Sequence, residues 1–232
     1  MCYQEITCPR CSSLNIKKNG KTANQKQRYL CKNCRRQFIT DYTYLGCANT
    51  IRELIVPMTL NGAGIRDTAR FLLLSPNTVL KTIRETAAAA PEQIPERRIQ
   101  DLELDEFWSF VGAKKVQRWT WYGFDRQRKT VAAFVNGRGA DASCRVLYSK
   151  FAGSRVGTFY TDNWRSYKKC LPPKRHRTGK EGTRAIERNN LNFRTHLKRL
   201  QRHTICFSKS EEMHDAVIKL YIHYLNARQH QL

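Results

Sequence analysis

The chain has 232 residues with 42 lysines and arginines against 19 acids, a formal charge of +23, and such a field draws polyanions by neutralising phosphates and releasing counterions. A content of 41% hydrophobic and 10% aromatic residues excludes a disordered basic tail, so the charge belongs to a folded protein with one sizeable core and one or two small modules. No apolar run of about 18 residues, amphipathic anchor or signal peptide is visible, which argues against a membrane partner and leaves nucleic acid and the cytoplasm as expectations.

The first element, over 1–45, is set by cysteine spacing. Cys8 and Cys11 are followed, 19 residues later, by Cys31 and Cys34. Two such knuckles place four thiolates on one tetrahedral zinc, a closed structural site, and about 40 residues need that metal to fold. The odd total of nine cysteines speaks against a disulfide framework. Lys17, Lys18, Lys21, Lys26, Arg28, Lys32, Arg35 and Arg36 decorate this zinc ribbon, and Tyr29 and Phe38 can pack beside the metal.

Residues 48–86 form the second element. Ile51, Leu54, Ile55 and Met58 recur at helical spacing, Gly62 and Gly64 break the chain, and short periodic segments follow over 65–72 and 76–84, the pattern of a helix-turn-helix. Ser75 is a good N-cap with Pro76 at the first helical position, which places Asn77, Thr78, Lys81 and Arg84 on the recognition helix. The turn position that often carries glycine is Leu73, so the turn geometry is open. An alanine run, Pro91 and Pro95 mark a linker over 87–99.

From residue 100 the period becomes two. Strands are expected near 100–107, 116–124 and 129–135, then a helix over 140–151, a fourth strand over 155–161, a basic loop over 168–182, and helices over 183–200 and 208–226. That order predicts an α/β domain over 100–232 with the mixed sheet of the ribonuclease-H-like fold.

Three acids fall where this order would join them: Asp105 in the first strand, Asp162 after the fourth, Glu187 near the start of a helix. On that helix Ile186, Phe193, Leu197 and Leu200 form the core stripe, while Glu187, Leu191, Arg194 and Lys198 share an adjoining face. Aspartate and glutamate are hard ligands suited to magnesium, and a metal pair can activate the attacking oxygen and stabilise the leaving oxygen of a phosphoryl displacement. A single acid is more often the surface partner of an arginine; the joint pattern carries the argument. Glu106 would join the set only if its strand were bulged, since strand neighbours face opposite sides. Glu211, His214 and Asp215 read as structural, Trp108, Trp119 and Trp121 as core, and Trp164 as a DNA-contacting residue.

The runs Asp105-Glu106-Phe107-Trp108, Phe110-Val111-Gly112-Ala113-Lys114, Gln117-Arg118-Trp119, Thr161-Asp162-Asn163-Trp164, Ile186-Glu187-Arg188-Asn189-Asn190 and Phe207-Ser208-Lys209-Ser210 resemble bacterial transposases of the insertion-sequence-one family. The cysteine pairs, Ala69-Arg70 and Asn77-Thr78 extend the resemblance to the amino terminus. It implies a zinc finger and helix-turn-helix that bind terminal inverted repeats, fused to a domain that cuts and joins double-stranded DNA with Mg or Mn. Asp105, Asp162 and Glu187 then form the acidic triad, with the family's 24 residues between the last two, and Arg194 holds DNA phosphate. A homo-oligomer on DNA and a nucleoid location are implied, and Lys198 joins the DNA contacts. A DNA-binding regulator without catalysis, or a nuclease that hydrolyses without joining, are the alternatives.

Overall fold

Residues 5–229 are described by a computed structural model. They fall into two units, one ending at Ile51 and the other starting at Arg52. In the amino-terminal unit the first cysteine knuckle precedes, and the second interrupts between its second and third strands, a three-stranded antiparallel sheet, β1 (Ile16–Lys21), β2 (Gln27–Cys31) and β3 (Gln37–Ile39). Its small core is Cys8, Cys31 and Phe38, with Tyr29 stacked on Phe38 at 5.8 Å between ring centroids. Lys17, Lys18 and Lys21 point to solvent.

A single first helix was expected after residue 50, but the chain forms α1 (Asn49–Glu53) and α2 (Ile55–Leu60). Pro57 explains the break, because it has no N–H to give the carbonyl of Glu53 four residues back. Then come α3 (Ile65–Phe71) and α4 (Pro76–Ala89). Ser75 caps α4 as expected, its hydroxyl oxygen accepting from the Thr78 N–H. The turn between α3 and α4 keeps its geometry without glycine: Leu73 sits at φ +54°, and the Leu74 N–H reaches back to the Ala69 carbonyl at 2.8 Å. This is a Schellman-type stop, with Leu74 buried beneath it and Leu73 exposed. The alanine run expected in a linker is instead the last turn of α4, since alanine is the strongest helix former. Ala90, forced extended by Pro91, ends it.

The larger sheet has the order β6-β5-β4-β7-β8, made of β4 (Arg98–Val111), β5 (Ala113–Asp125), β6 (Thr130–Gly137), β7 (Arg155–Thr161) and β8 (His176–Thr178). The first three run antiparallel, turning at Gly112 (φ +74°), and β7 and β8 are parallel additions. With α5 (Ala140–Ser149) and α6 (Arg165–Cys170) on one face, and α7 (Arg184–His196) and α8 (Glu211–Gln229) on the other, this is the ribonuclease-H-like arrangement. Leu104, Trp121, Leu147, Phe151 and Tyr167 fill the first layer. A chain of rings fills the second: Phe193 lies 5.0 Å from Phe107, 5.7 Å from Tyr122 and 4.9 Å from Tyr221.

Strand β8 lies inside the loop expected over 168–182, and α6, for which no element was expected, runs into its start. The helix carrying Glu187 stops at His196, where Leu197 turns extended, so Lys198 opens a separate 3-10 turn and does not continue the Glu187 face. Helix α8 starts at Glu211, later than expected, and buries Val217, Ile218, Leu220, Tyr221 and Ile222. Burial on several sides follows from its place between the sheet and the α2 and α4 helices. Among the described residues no helix is long and apolar enough to cross a membrane.

The Leu73 conformation gives a first test. A left-handed non-glycine residue carries about 1 kcal/mol of strain, and β-branching adds to it. Leu73→Val is expected to lower unfolding stability by about 1 kcal/mol in urea, while Leu73→Gly is near neutral. A valine variant as stable as the parent would mean that the turn is not held left-handed.

Candidate active site

Parallel pairing of β4 with β7 puts Glu103 opposite Tyr160. Two residues further along each strand stand Asp105, still inside β4, and Asp162, the first residue past the end of β7. Glu187 lies in the first turn of α7. The structure therefore brings all three acids to one end of the sheet, and the charges of Asp162 and Glu187 both act on Asp105.

Asp105 is the most constrained of the three. One carboxylate oxygen accepts the Glu106 N–H at 2.9 Å, and the other accepts the Asn190 side-chain amide at 2.6 Å. Burial, reinforced by repulsion from Asp162 and Glu187, raises its pKa to about 6 despite those hydrogen bonds. Asp162 is exposed and braces its own loop by accepting the Trp164 N–H at 2.9 Å. Glu187 is also exposed and accepts from the Thr183 hydroxyl at 2.9 Å.

Asn190 was missed in the sequence, although its position three residues after Glu187 on one helix face was a usable signal. Its amide oxygen lies 2.8 Å from the hydroxyl of Tyr122, which is also 3.0 Å from the Ile186 carbonyl. Tyr122 is paired with Asp105 across β4 and β5, and burial holds its phenol well above the ordinary range, so it stays a proton donor. Glu103 was missed as well. Fully buried, it accepts the Ile186 N–H at 2.7 Å, in the first turn of α7, and pairs with Arg126 at 2.7 Å. A carboxylate at a helix N-terminus is favoured by the free N–H groups there, so β4 anchors the start of the helix that carries Glu187.

No bulge occurs at Glu106: the β4–β5 register is unbroken until Phe110. Glu106 faces α6 and accepts from the Tyr167 hydroxyl. Burial lifts its pKa to about 8, helped by the charges of Asp105 and Asp162, which leaves it largely uncharged at neutral pH.

Arg194, seven residues after Glu187, is half-buried on α7. Lys198 is exposed, as are Asn77, Lys81 and Arg84, while Thr78 is half-buried at the Ser75 cap. Lys81 pairs with Glu85 at 3.7 Å and Arg84 with Glu212 of α8 at 3.1 Å. One tryptophan departs from expectation. Trp108 was expected in the core but is 48% exposed, on the part of β4 beyond its pairing with β7, which ends at Glu103. Trp164 is half-buried against Trp119 and Trp121, at 5.4 and 5.5 Å. Glu211 and Asp215 are structural, gripping Arg118 at 3.0 Å and at close range. His214 is buried between Ser109 (3.2 Å) and Ser208 (2.9 Å), and burial pushes its pKa down to about 3.

The four cysteines of the amino-terminal unit converge. Their sulfurs all lie within 4.8 Å of one another, with Cys8 and Cys34 at 3.5 Å and Cys11 and Cys31 at 3.6 Å. Tetrahedral zinc–sulfur bonds of about 2.3 Å require sulfurs slightly under about 4 Å apart, so the set fits a structural zinc. The Cys34 and Asn33 N–H groups lower the Cys31 pKa against the effect of burial, favouring the thiolate that a metal needs. Among the described residues this is the one group of three or more such ligands so tightly drawn. The carboxylates are set more openly.

A carboxylate-bearing ribonuclease-H-like sheet following a zinc ribbon and a helix-turn-helix is the plan of a DNA transposase. A family model described as IS1 transposase matches residues 99–231, one described as InsA C-terminal domain matches 42–87, and one described as InsA N-terminal domain, a zinc ribbon, matches 1–35. The chain belongs to the IS1 transposase family. It is 46% identical over 120 residues to the insertion element iso-IS1n protein InsB of Shigella dysenteriae, covering 52% of this chain and 92% of that protein. With the IS1 9 protein InsB of Escherichia coli K12 it shares 42% identity over 154 residues, 66% of this chain and 90% of the relative.

Two measurements probe this geometry. Chelating zinc from the full chain is expected to collapse the dispersed amide resonances of the amino-terminal unit and spare those of the larger sheet; a ribbon still folded without metal would refute a structural role. Second, Asp105 ionises with difficulty in the native state. The stability given by its neutral form is complete below pH 4 and is lost as pH rises through about 6. Asp105→Asn should therefore be more stable than the parent by roughly 2 kcal/mol at pH 8 without divalent metal, the gap closing toward pH 4. An equal gap at both pH values would show that Asp105 is not strained by its charge.

Proposed function

We propose that this transposase binds the terminal inverted repeats of its element and performs metal-dependent cleavage and strand transfer at Asp105, Asp162 and Glu187. The observation that carries the reading is Asp105: a carboxylate raised in pKa by burial and further by two neighbouring acids, in a chain of charge +23. Such an arrangement gains most when a divalent cation neutralises it. Hard oxygen donors suit magnesium or manganese, which when bound would supply activation of the attacking oxygen and stabilisation of the leaving oxygen.

The chain's own residues do the rest. Asn190, fixed by Tyr122, orients the Asp105 carboxylate, and Glu103 holds the start of α7 so that Glu187 meets the same space. Arg194 binds phosphate of the DNA strand near the acids. Glu106, largely uncharged and tied to Tyr167, adds little negative charge behind Asp105 and spares the site further repulsion. Water first attacks the phosphodiester at the element's end and frees a 3′ hydroxyl. That hydroxyl then attacks a target phosphodiester and displaces a second 3′ oxygen. In this reading the zinc ribbon (1–45) and the helix-turn-helix (48–86), with Asn77, Thr78, Lys81 and Arg84, hold the element ends. Trp164 and Lys198, within the catalytic domain (100–232), also contact DNA, the working form being a homo-oligomer on DNA.

Replacing Asp105, Asp162 or Glu187 by its amide keeps side-chain volume and removes a ligand charge. Cleavage and joining of a fragment carrying the element's ends should fall about a thousandfold or more, with fold and DNA binding retained. Glu106→Gln should be much milder. Strand transfer at near-parental rate by any triad variant would remove that residue from the mechanism, and cutting without joining by the parent would make the chain a nuclease.

A further inference from the structure

The far end of the β4–β5 hairpin and the segment that leads from α7 toward α8 enclose a cavity of about 770 Å³. That is within the range of small-ligand sites, roughly 300–1,000 Å³. Its lining combines two chemistries. Trp108, Phe110 and Phe207 supply aromatic surface, Phe110 and Phe207 lying 5.0 Å apart and Trp108 remaining half exposed. Lys114, Arg194, Arg199 and Arg202 supply charge, and no aspartate or glutamate occurs among the described residues that line it.

Arg199 marks the anionic preference most clearly. Burial pushes its pKa down to about 10, yet its guanidinium meets only neutral acceptors, the Ser208 hydroxyl at 3.2 Å and the Met213 carbonyl at 3.4 Å. Among the described residues no carboxylate pairs with it. A desolvated cation without a counterion is costly, and an entering phosphate would offset that cost.

The aromatic walls narrow the ligand further. Duplex DNA hides its base faces inside the stack and offers a protein phosphates and groove edges; only an unstacked nucleotide offers a face to a tryptophan together with a phosphate to an arginine. Position agrees with that ligand. Arg194, in the cavity lining, is two turns along α7 from Glu187 and on the same helix face. We propose that this cavity takes up an unstacked nucleotide of the DNA strand that lies beside the acids, with Trp108 as the stacking platform and Arg199 and Arg202 on its phosphates. The inference rests on the proposed DNA chemistry for its location, but its test reads binding and not cleavage.

The full zinc-loaded chain is titrated with fluorescein-labelled oligothymidylate of 12 nucleotides, and separately with a duplex of the same length, at one salt concentration. Trp108→Ala should weaken the single strand about tenfold and change duplex affinity less than twofold; Trp108→Phe should restore most of the loss. Arg202→Gln should weaken the single strand and flatten its salt dependence. Binding is read without divalent metal and without cleavage, so a failed triad would not be mistaken for a failed cavity. Undiminished single-strand binding by Trp108→Ala would overturn the proposal, and so would equal losses for both DNAs. A smaller oligomer with unchanged single-strand binding would overturn it too, assigning the cavity to an interface between copies of the chain.

Discussion

The parallel pairing of β4 with β7 is the constraint from which the site follows. Parallel strands cannot be joined by a tight turn, so the chain must travel out and return between them. Here β5, β6 and α5 make that excursion. Once Arg98 stands opposite Arg155 and Glu103 opposite Tyr160, the strand ends are fixed and with them the places of Asp105 and Asp162. The third acid comes by another route. Glu103, two residues before Asp105 on β4, receives the Ile186 N–H of α7, so one strand both carries the first carboxylate and anchors the helix with the third.

How much of this was legible in the sequence depended on the range of the interaction. Cysteine knuckles, the Ser75-Pro76 cap and the alternation along β4 are local patterns, and the four cysteines, α4 and the central strands appear where they were read. The parallel placement of the first and fourth strands followed from element order. Short elements were not legible: α6 and β8 lie in a lysine- and arginine-rich stretch whose apolar content is too small to show a period. Tertiary partners were also hidden, because nothing near Glu103 in sequence announces a helix terminus 83 residues away. Asn190 is the instructive case, since its spacing from Glu187 was visible while its partners, Asp105 and Tyr122, belong to strands far away in the chain. Leu73 is the converse. The residue type opposed the turn, and the buried Leu74 beside it, with the hydrogen bond to Ala69, overrides that local preference.

Helix α8 couples the recognition elements to the sheet. Its apolar residues are buried between the ring cluster under β4 and β5 and the α2 and α4 helices. Asn226 bridges further, exchanging hydrogen bonds with both backbone groups of Val131 on β6 and donating to Gln93 beyond α4. At the other end of α8, Glu212 meets Arg84, on the helix read as the DNA-recognition element, while Glu211 meets Arg118 of β5. The Arg84–Glu212 pair is exposed, hence weak, and a DNA phosphate could replace Glu212 as the arginine's partner at little cost. Packing across α8, rather than that ion pair, is what joins the two parts.

Electrostatics then divides the chain by function. Nearly all of its positive charge is solvated, where it costs little and attracts DNA over a Debye length of about 8 Å. Among the described residues, most buried groups that keep their charge have a partner of opposite sign. Glu103 is neutralised by Arg126 and a helix terminus, Asp125 by Arg128 at 2.8 Å, and Arg118 by two acids. Asp105 and Arg199 are the exceptions. One is a desolvated acid beside two more acids, the other a desolvated cation with only neutral acceptors. A folded chain keeps such unbalanced groups at a cost of stability, and the two are of opposite sign, one on β4 and the other on the 3-10 turn that follows α7. A nucleic-acid strand with its divalent counterions carries the complementary pair of charges, cation for the acid and phosphate for the arginine, and would relieve both at once.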